Sequence, residues 1–239
     1  MNTKTIQSCL ERNEIPYCDE LTQKIYIYFS LLQEWNNRMD LTAVSDEKEM
    51  LDKHFVDSLT VLKTCLIKEE AKLIDVGTGA GFPGMVLAMA CPKLQVTLLD
   101  AQQKRLKFIE TVSKAAGVSN VSVVHARAED GARKTEMREK YDYAIARAVA
   151  PMNILCEYLL PYVRIGGYAL CWKGPSLKDE LDIGSRAARI LGGQPEIPVH
   201  CTVEGREWDH TIMPIKKIIH TSNEYPRKAG TPKSRPLGL

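Results

Sequence analysis

No stretch of this chain approaches the roughly 18 consecutive apolar residues a membrane-spanning helix needs. Residues 1–20 lack the basic-then-apolar layout of a signal peptide, so a cytoplasmic protein without membrane contact is expected. Cysteine is sparse and odd in number: Cys9, Cys18, Cys65, Cys91, Cys156, Cys171 and Cys201, none in a C-x-x-C pair. That spacing argues against a metal site or a disulfide framework and predicts buried free thiols. There is no internal repeat, no low-complexity segment, and no signature of a catalytic triad, metal cluster or carboxylate pair. Nor is there a dominant charge: the net is +2, with 6 Lys/Arg against 11 Asp/Glu in residues 1–60 and 26 against 19 in the rest of the 239. Any nucleic-acid contact must therefore come from local patches beyond residue 60.

What is present is a change of period. Residues 1–70 read as helical, with Leu21, Ile25, Tyr28, Phe29, Leu32 and Trp35 spaced three and four apart, and a second stripe through Met50, Leu51, His54, Phe55, Ser58, Leu59 and Leu62. His54 and Asp57 lie three apart, so they can share a helical face, as a structural pair or as a substrate contact. From residue 72 the pattern predicts strands at 72–76, 94–99, 121–125, 142–147 and 167–172. Helices are expected at 83–90, 102–116 and 152–160, with a weaker one near 129–139. Such alternation argues a parallel sheet with helices on both faces. A charged helix at 176–191 precedes two extended runs in 195–220 around Glu204–Glu207, which predicts a late antiparallel hairpin. The expected organisation is a helical cap over 1–70, an α/β domain over 71–222 and a Pro/Gly-rich basic tail over 223–239 without regular structure.

The first strand ends in Asp75 and runs into Gly77, Gly79, Gly81 and Gly84, four glycines in eight residues, with Pro83 placed to begin a helix. Glycines here let a ligand approach the main chain. A dinucleotide and S-adenosylmethionine are both compatible with this turn, and with Asp100, which ends the second strand and can hold a ribose. Asp75 tilts the choice, since a carboxylate beside the first glycine repels pyrophosphate and suits a cationic ligand. Glu129 or Asp130 after the third strand would lie near an adenine, or cap the next helix. Arg147 ends the fourth strand beside the presumed cleft, as a cofactor or orienting contact.

The residues Trp35-Asn36, Asp40 to Val44, His54 to Leu59, Asp75 to Gly84, Asp100 to Arg105, Arg127 to Glu129, Arg147 to Ala150 and Tyr225 to Pro232 occur in this order across nearly the whole chain. In them the chain resembles the bacterial glucose-inhibited division protein B family, the 16S ribosomal RNA guanine-N7 methyltransferases. The resemblance implies a class I S-adenosylmethionine-dependent methyltransferase. Its Rossmann-like sheet would have seven strands, mostly parallel with a late antiparallel strand, under an N-terminal helical cap. It implies cofactor contacts at Gly77, Phe82, Ala128, Glu129 and Arg147, which join Asp75, Gly79, Gly81 and Asp100 from the spacing. It implies methylation of a guanine in the 530 loop of 16S rRNA, naked or in the small subunit; a monomer without a metal is expected. Asp40 and Thr78 depart from the family's commoner Asn and Ser.

Guanine N7 carries a lone pair and no proton, so no general base is required. Arg227, Lys228, Lys233 and Arg235 in the acid-free last fifteen residues, with Lys216 and Lys217, are expected to grip the RNA backbone. A nicotinamide-dependent oxidoreductase and a non-catalytic ribosome-binding factor are the rival readings. A methyltransferase acting on a small molecule or protein is not excluded by the residues alone.

Overall fold

The computed structural model describes residues 1–208 and 210–239. It opens with α1 (Thr3–Arg12), α2 (Asp19–Asn36) and α3 (Glu47–Met50). A π-helical turn over Leu51–Val56 follows, then α4 (Asp57–Leu59) and a 3-10 turn over Thr60–Thr64. The sheet elements then alternate: β1 (Lys72–Val76), α5 (Gly84–Ala90), β2 (Gln95–Asp100), α6 (Gln103–Ala115), β3 (Val121–His125), α7 (Ala128–Ala132), β4 (Tyr141–Arg147), α8 (Met152–Leu159), β5 (Val163–Lys173) and α9 (Leu177–Ile190). Three further strands follow, β6 (Gly193–Pro195), β7 (Val199–Cys201) and β8 (His210–Lys217), and then α10 (Thr231–Ser234).

The strand order is β3-β2-β1-β4-β5-β8-β6, with β7 paired to β8 off this path. Strands β1 to β5 are parallel, and β8 runs antiparallel to β5, β6 and β7. Among the described residues the sheet thus holds eight strands rather than seven. The first of the two extended runs expected in 195–220 is split, because Pro195 and Pro198 lack the N–H that a continuous ladder needs. The weak helix near 129–139 shrinks to Ala128–Ala132.

Strand alternation sorts the core into two layers. Leu73, Val96, Leu98, Tyr143, Ile145, Leu170, Trp172 and Ile212 face the N-terminal helices with α5 and α6. Ile74, Val76, Leu99, Ala144, Ala146, Ala169, Cys171, Met213 and Ile215 face α8 and α9. The N-terminal helices therefore share one core with the sheet: Ile6, Leu10, Ile25, Tyr28, Phe29 and Phe55 are buried in the same cluster as α5 and α6. Burying six such side chains stabilises this contact by roughly 10 kcal/mol on an extended-chain reference. The thiols are all free, but Cys18 and Cys65 are exposed rather than buried. Among the described residues no helix is long and apolar enough to cross a membrane.

The tail has little regular structure beyond the short α10, but it is tied to the domain at several points. Arg227 pairs bidentately with Glu157, whose side chain is 1% exposed, at 2.6–3.2 Å. Gly230 N donates to Glu129 Oε1 at 2.8 Å, and Asn153 Nδ2 donates to the Leu237 carbonyl at 3.0 Å. Arg133 and Arg138 donate to carbonyls of residues 221–226. A buried carboxylate on α8 needs a cation, and the tail supplies it.

Candidate active site

Odd-numbered positions of β1 point toward α5, and this decides the fate of Asp75. Its side chain is fully buried beneath the first turn of α5. Oδ2 accepts from Thr78 Oγ1 at 2.7 Å and from Gly84 N at 2.9 Å, while Oδ1 has no partner. Burial pushes its carboxyl up to about 6. Asp75 therefore braces the turn and the start of α5 from below and does not line the cleft, contrary to its expected role as a ligand contact. Gly81 also lies outside the cleft: its φ is +104°, and a β-carbon there would meet Tyr28 Oη at 2.5 Å. Tyr28 in turn donates to the Ala80 carbonyl.

The carboxyl ends of β1 to β5 open onto a cleft of about 950 Å³. Gly77, Gly79, Phe82, Asp100, Ala128, Glu129 and Arg147 line it, as expected from the sequence. Asp100 is 4% exposed; its Oδ2 accepts from Gly79 N at 2.9 Å and its Oδ1 from Gln102 N at 2.8 Å. Glu129 is 5% exposed and does not cap its helix; it holds the tail at Gly230. Ala128 contributes its carbonyl to Tyr162 Oη at 2.7 Å.

Arg147 reaches across to the N-terminal helices. Its Nη1 donates to the Lys53 carbonyl at 3.0 Å and to Asp57 Oδ2 at 2.7 Å, and its guanidinium lies 5.5 Å from the Phe82 ring centroid. Phe82 is stacked between Tyr28 at 5.0 Å and His54 at 4.9 Å. His54 and Asp57 do not pair with each other. The π-helical turn sends His54 Nε2 to Thr42 Oγ1 at 2.7 Å, and Asp57 to Arg147 and to His210. Burial, then the charges of Arg147 and Lys53, push the His54 imidazole down to about 3, so the ring is neutral at physiological pH. Ala148, next to Arg147 on the cleft wall, holds a φ of +56°, a strain of about 1 kcal/mol for a residue with a β-carbon.

Sequence reading did not select Trp172, Lys173, His210, Lys53, Arg105 or Arg127, all of which line the cleft. Trp172 and Lys173 end β5 and His210 begins β8, so the strand-end rule that found Arg147 reaches them once strand order is known. Of the expected RNA contacts, Lys233 lies on the cleft wall, Lys228 and Arg235 are exposed, and Arg227 is committed to Glu157. Lys217 cannot serve as one: it is fully buried against the Leu160 carbonyl at 2.7 Å and Glu139 at 3.1 Å. Among the described residues no group of three or more His, Cys, Asp or Glu is placed to hold a metal.

The glycine turn is not built for phosphate. The amides of Gly77 and Thr78 donate to the Leu99 carbonyl, and those of Gly81 and Phe82 to the Thr78 carbonyl. Gly79 donates to Asp100 and Gly84 to Asp75. A pyrophosphate cradle needs such amides turned toward the ligand. Here six of the seven N–H groups from Gly77 to Gly84, all but that of Ala80, are bonded to the chain itself, and Asp100 and Glu129 add two carboxylates to the cleft lining. That donor set fits a cationic, phosphate-free nucleoside ligand.

Comparison with known proteins points the same way. A family model described as GidB, rRNA small subunit methyltransferase G, matches residues 21–208. A ribosomal RNA small subunit methyltransferase G of Alkaliphilus metalliredigens (strain QYMF) is 45% identical over 219 residues, covering 92% of each chain. One of Clostridium tetani (strain Massachusetts / E88) is 42% identical over 210 residues, 88% of each chain. Solved structures similar in fold include a 16S rRNA (adenine(1408)-N(1))-methyltransferase from Catenulisporales acidiphilia. Its TM-score is 0.53 at 14% identity, over 70% of this chain and 93% of that one. A SAM dependent methyltransferase from Aquifex aeolicus gives a TM-score of 0.52 at 19% identity, over 70% and 92%. The fold is the class I S-adenosylmethionine-dependent methyltransferase fold.

Proposed function

Because the chain belongs to the rRNA small subunit methyltransferase G family and is thus an rRNA methyltransferase, we propose that it methylates N7 of a guanine in the 530 loop of 16S rRNA, with S-adenosylmethionine as donor. The observation that carries the cofactor reading is the internal bonding of the glycine-turn amides beside Asp100 and Glu129. It weighs against the nicotinamide alternative. Gly77, Gly79 and Phe82 would cradle the methionine end, Asp100 the ribose, and Ala128 with Glu129 the adenine. When bound, S-adenosylmethionine supplies a sulfonium methyl, which N7 takes as the sulfur–carbon bond breaks and the positive charge passes to the base.

The protein's contribution is orientation and exclusion of water, since N7 has no proton to remove. The cleft is suited to both. Asp57 and Asp100 have both oxygens engaged, and His54 is a buried neutral ring stacked on Phe82. Arg147 is an orienting residue, tying the end of β4 to the N-terminal helices. N7 faces the deep major groove of A-form RNA, so the target base must be unpaired or extruded to enter the cleft. Lys53, Arg105, Arg127 and Lys233 on the cleft wall supply positive charge for the RNA backbone.

The test is methyl transfer from radiolabelled S-adenosylmethionine to small subunits and to naked 16S rRNA from a strain lacking the protein, with the modified base mapped. Label on N7 of one guanine is expected. Label on another base, or on none, refutes the reading.

A further inference from the structure

The residues around the start of β8 are organised around one imidazole. His210 lines the cleft with its side chain 27% exposed, and its Nδ1 lies 2.6 Å from Asp57 Oδ1. Asp57 is fully buried, and its other oxygen takes Arg147 Nη1 at 2.7 Å. Burial alone would push the Asp57 carboxyl up, but the bonds from His210 and Arg147 hold it below the ordinary carboxylate range. An ionised carboxylate can only accept, so Nδ1 of His210 carries a proton directed at Asp57. In the tautomer protonated at Nδ1, Nε2 carries the ring's lone pair.

The plane of the ring is fixed as well. Trp208 stacks on it at 5.6 Å and 25°, and the Arg206 guanidinium lies 5.2 Å from the Trp208 ring. Arg206 Nε donates to the buried Asp52 at 2.8 Å, and Glu204 N donates to Asn13 Oδ1 at 2.7 Å. The N-terminal helices thus hold this segment at three points, and the imidazole is oriented before a substrate arrives.

We propose that His210 reads the Watson–Crick edge of the target guanine, its Nε2 accepting the base's N1–H. The proposal rests on the guanine-N7 reading above. Extruded bases are read on that edge. Adenine has a lone pair at N1, so it would set acceptor against acceptor, the kind of mismatch that discriminates strongly between substrates. The same bond favours the reaction. As the N7–carbon bond forms, positive charge enters the purine and N1–H becomes a stronger donor. An acceptor fixed at N1 therefore holds the transition state more tightly than the ground state.

Three variants separate this contact from a bracing role. His210→Gln keeps an acceptor where Nε2 stands and loses the bond to Asp57. His210→Asn keeps a donor to Asp57 and offers nothing at the Nε2 position. His210→Phe has neither. Single-turnover methyl transfer to small subunits lacking the modification is measured beside the S-adenosylmethionine Kd of each variant. His210→Asn and His210→Phe should lose about 100-fold in rate, and His210→Gln no more than about tenfold, all with cofactor affinity unchanged. A His210→Asn rate equal to wild type with His210→Gln impaired would show that the ring merely braces Asp57 and would overturn the proposal; so would equal rates in all four proteins. If wild-type protein labels a different base or atom, the guanine reading fails and the proposal fails with it.

Discussion

Two neighbouring glycines offer a sharp test of how the turn after β1 is divided between cofactor and core. Gly79 has φ +62° and lines the cleft, with nothing within 4 Å of where a β-carbon would sit. Gly79→Ala should therefore cost only the left-handed backbone penalty, about 1 kcal/mol. For a chain of this size that is a Tm drop of about 3 °C. Its methyl would enter space the cofactor needs, so the S-adenosylmethionine Kd should rise at least about tenfold, equivalent to about 1.4 kcal/mol. Gly81 is the reverse case. Its φ of +104° lies beyond the left-handed well, and a β-carbon would stand 2.5 Å from Tyr28 Oη and 3.1 Å from Met85 Cβ. Backbone strain contributes about 2 kcal/mol. Displacing the buried Tyr28 hydroxyl from the Ala80 carbonyl contributes about 2 kcal/mol more. Gly81→Ala should thus lower Tm by about 10 °C, while the folded fraction binds the cofactor within about threefold of wild type. Thermal denaturation by circular dichroism and calorimetric titration give the two readouts. Equal losses of stability, or a cofactor defect confined to Gly81→Ala, would refute the division.

The tail should behave as two sets of charges. Arg227→Ala leaves the buried Glu157 carboxylate unpaired and should destabilise by about 3–5 kcal/mol in urea unfolding. Charge reversal of Lys228, Lys233 and Arg235, none of which is tied to a buried carboxylate, should instead spare stability, weaken RNA binding and flatten its salt dependence. Asp100→Ala should raise the cofactor Kd at least about tenfold, with calorimetry as the check. Asp75 predicts an unusual pH dependence. Its folded value is raised to about 6 from 3.8. Ionising it therefore favours the unfolded chain, and its contribution to stability is present below the unfolded value and lost as pH rises through about 6. In full that contribution is about 3 kcal/mol. Denaturant titrations between pH 4 and 7 should show a shallower fall with pH for Asp75→Asn than for wild type.

The sequence by itself determined the elements of the sheet and the place of the glycine turn, because both are local. Short continuous apolar runs bounded by turn residues read as buried strands, and four glycines around Pro83 specify a strand-to-helix turn. Asp100 and Arg147 were legible on the same ground: each ends a strand, and strand ends in a parallel sheet meet at one edge. What only the tertiary structure decided was direction and partnership. Asp75 follows the same local rule as Asp100, yet alternation along β1 turns it beneath α5. The tail reads as a flexible basic segment until Glu157, 70 residues away in sequence, is found buried opposite Arg227. His210 could not be selected from its neighbours in the chain. Its chemistry depends on Asp57, 153 residues earlier, and on strand order that places β8 beside β5. A buried charge requires a partner of opposite sign or a hydrogen bond, and sequence spacing cannot say which distant residue the fold will bring to it.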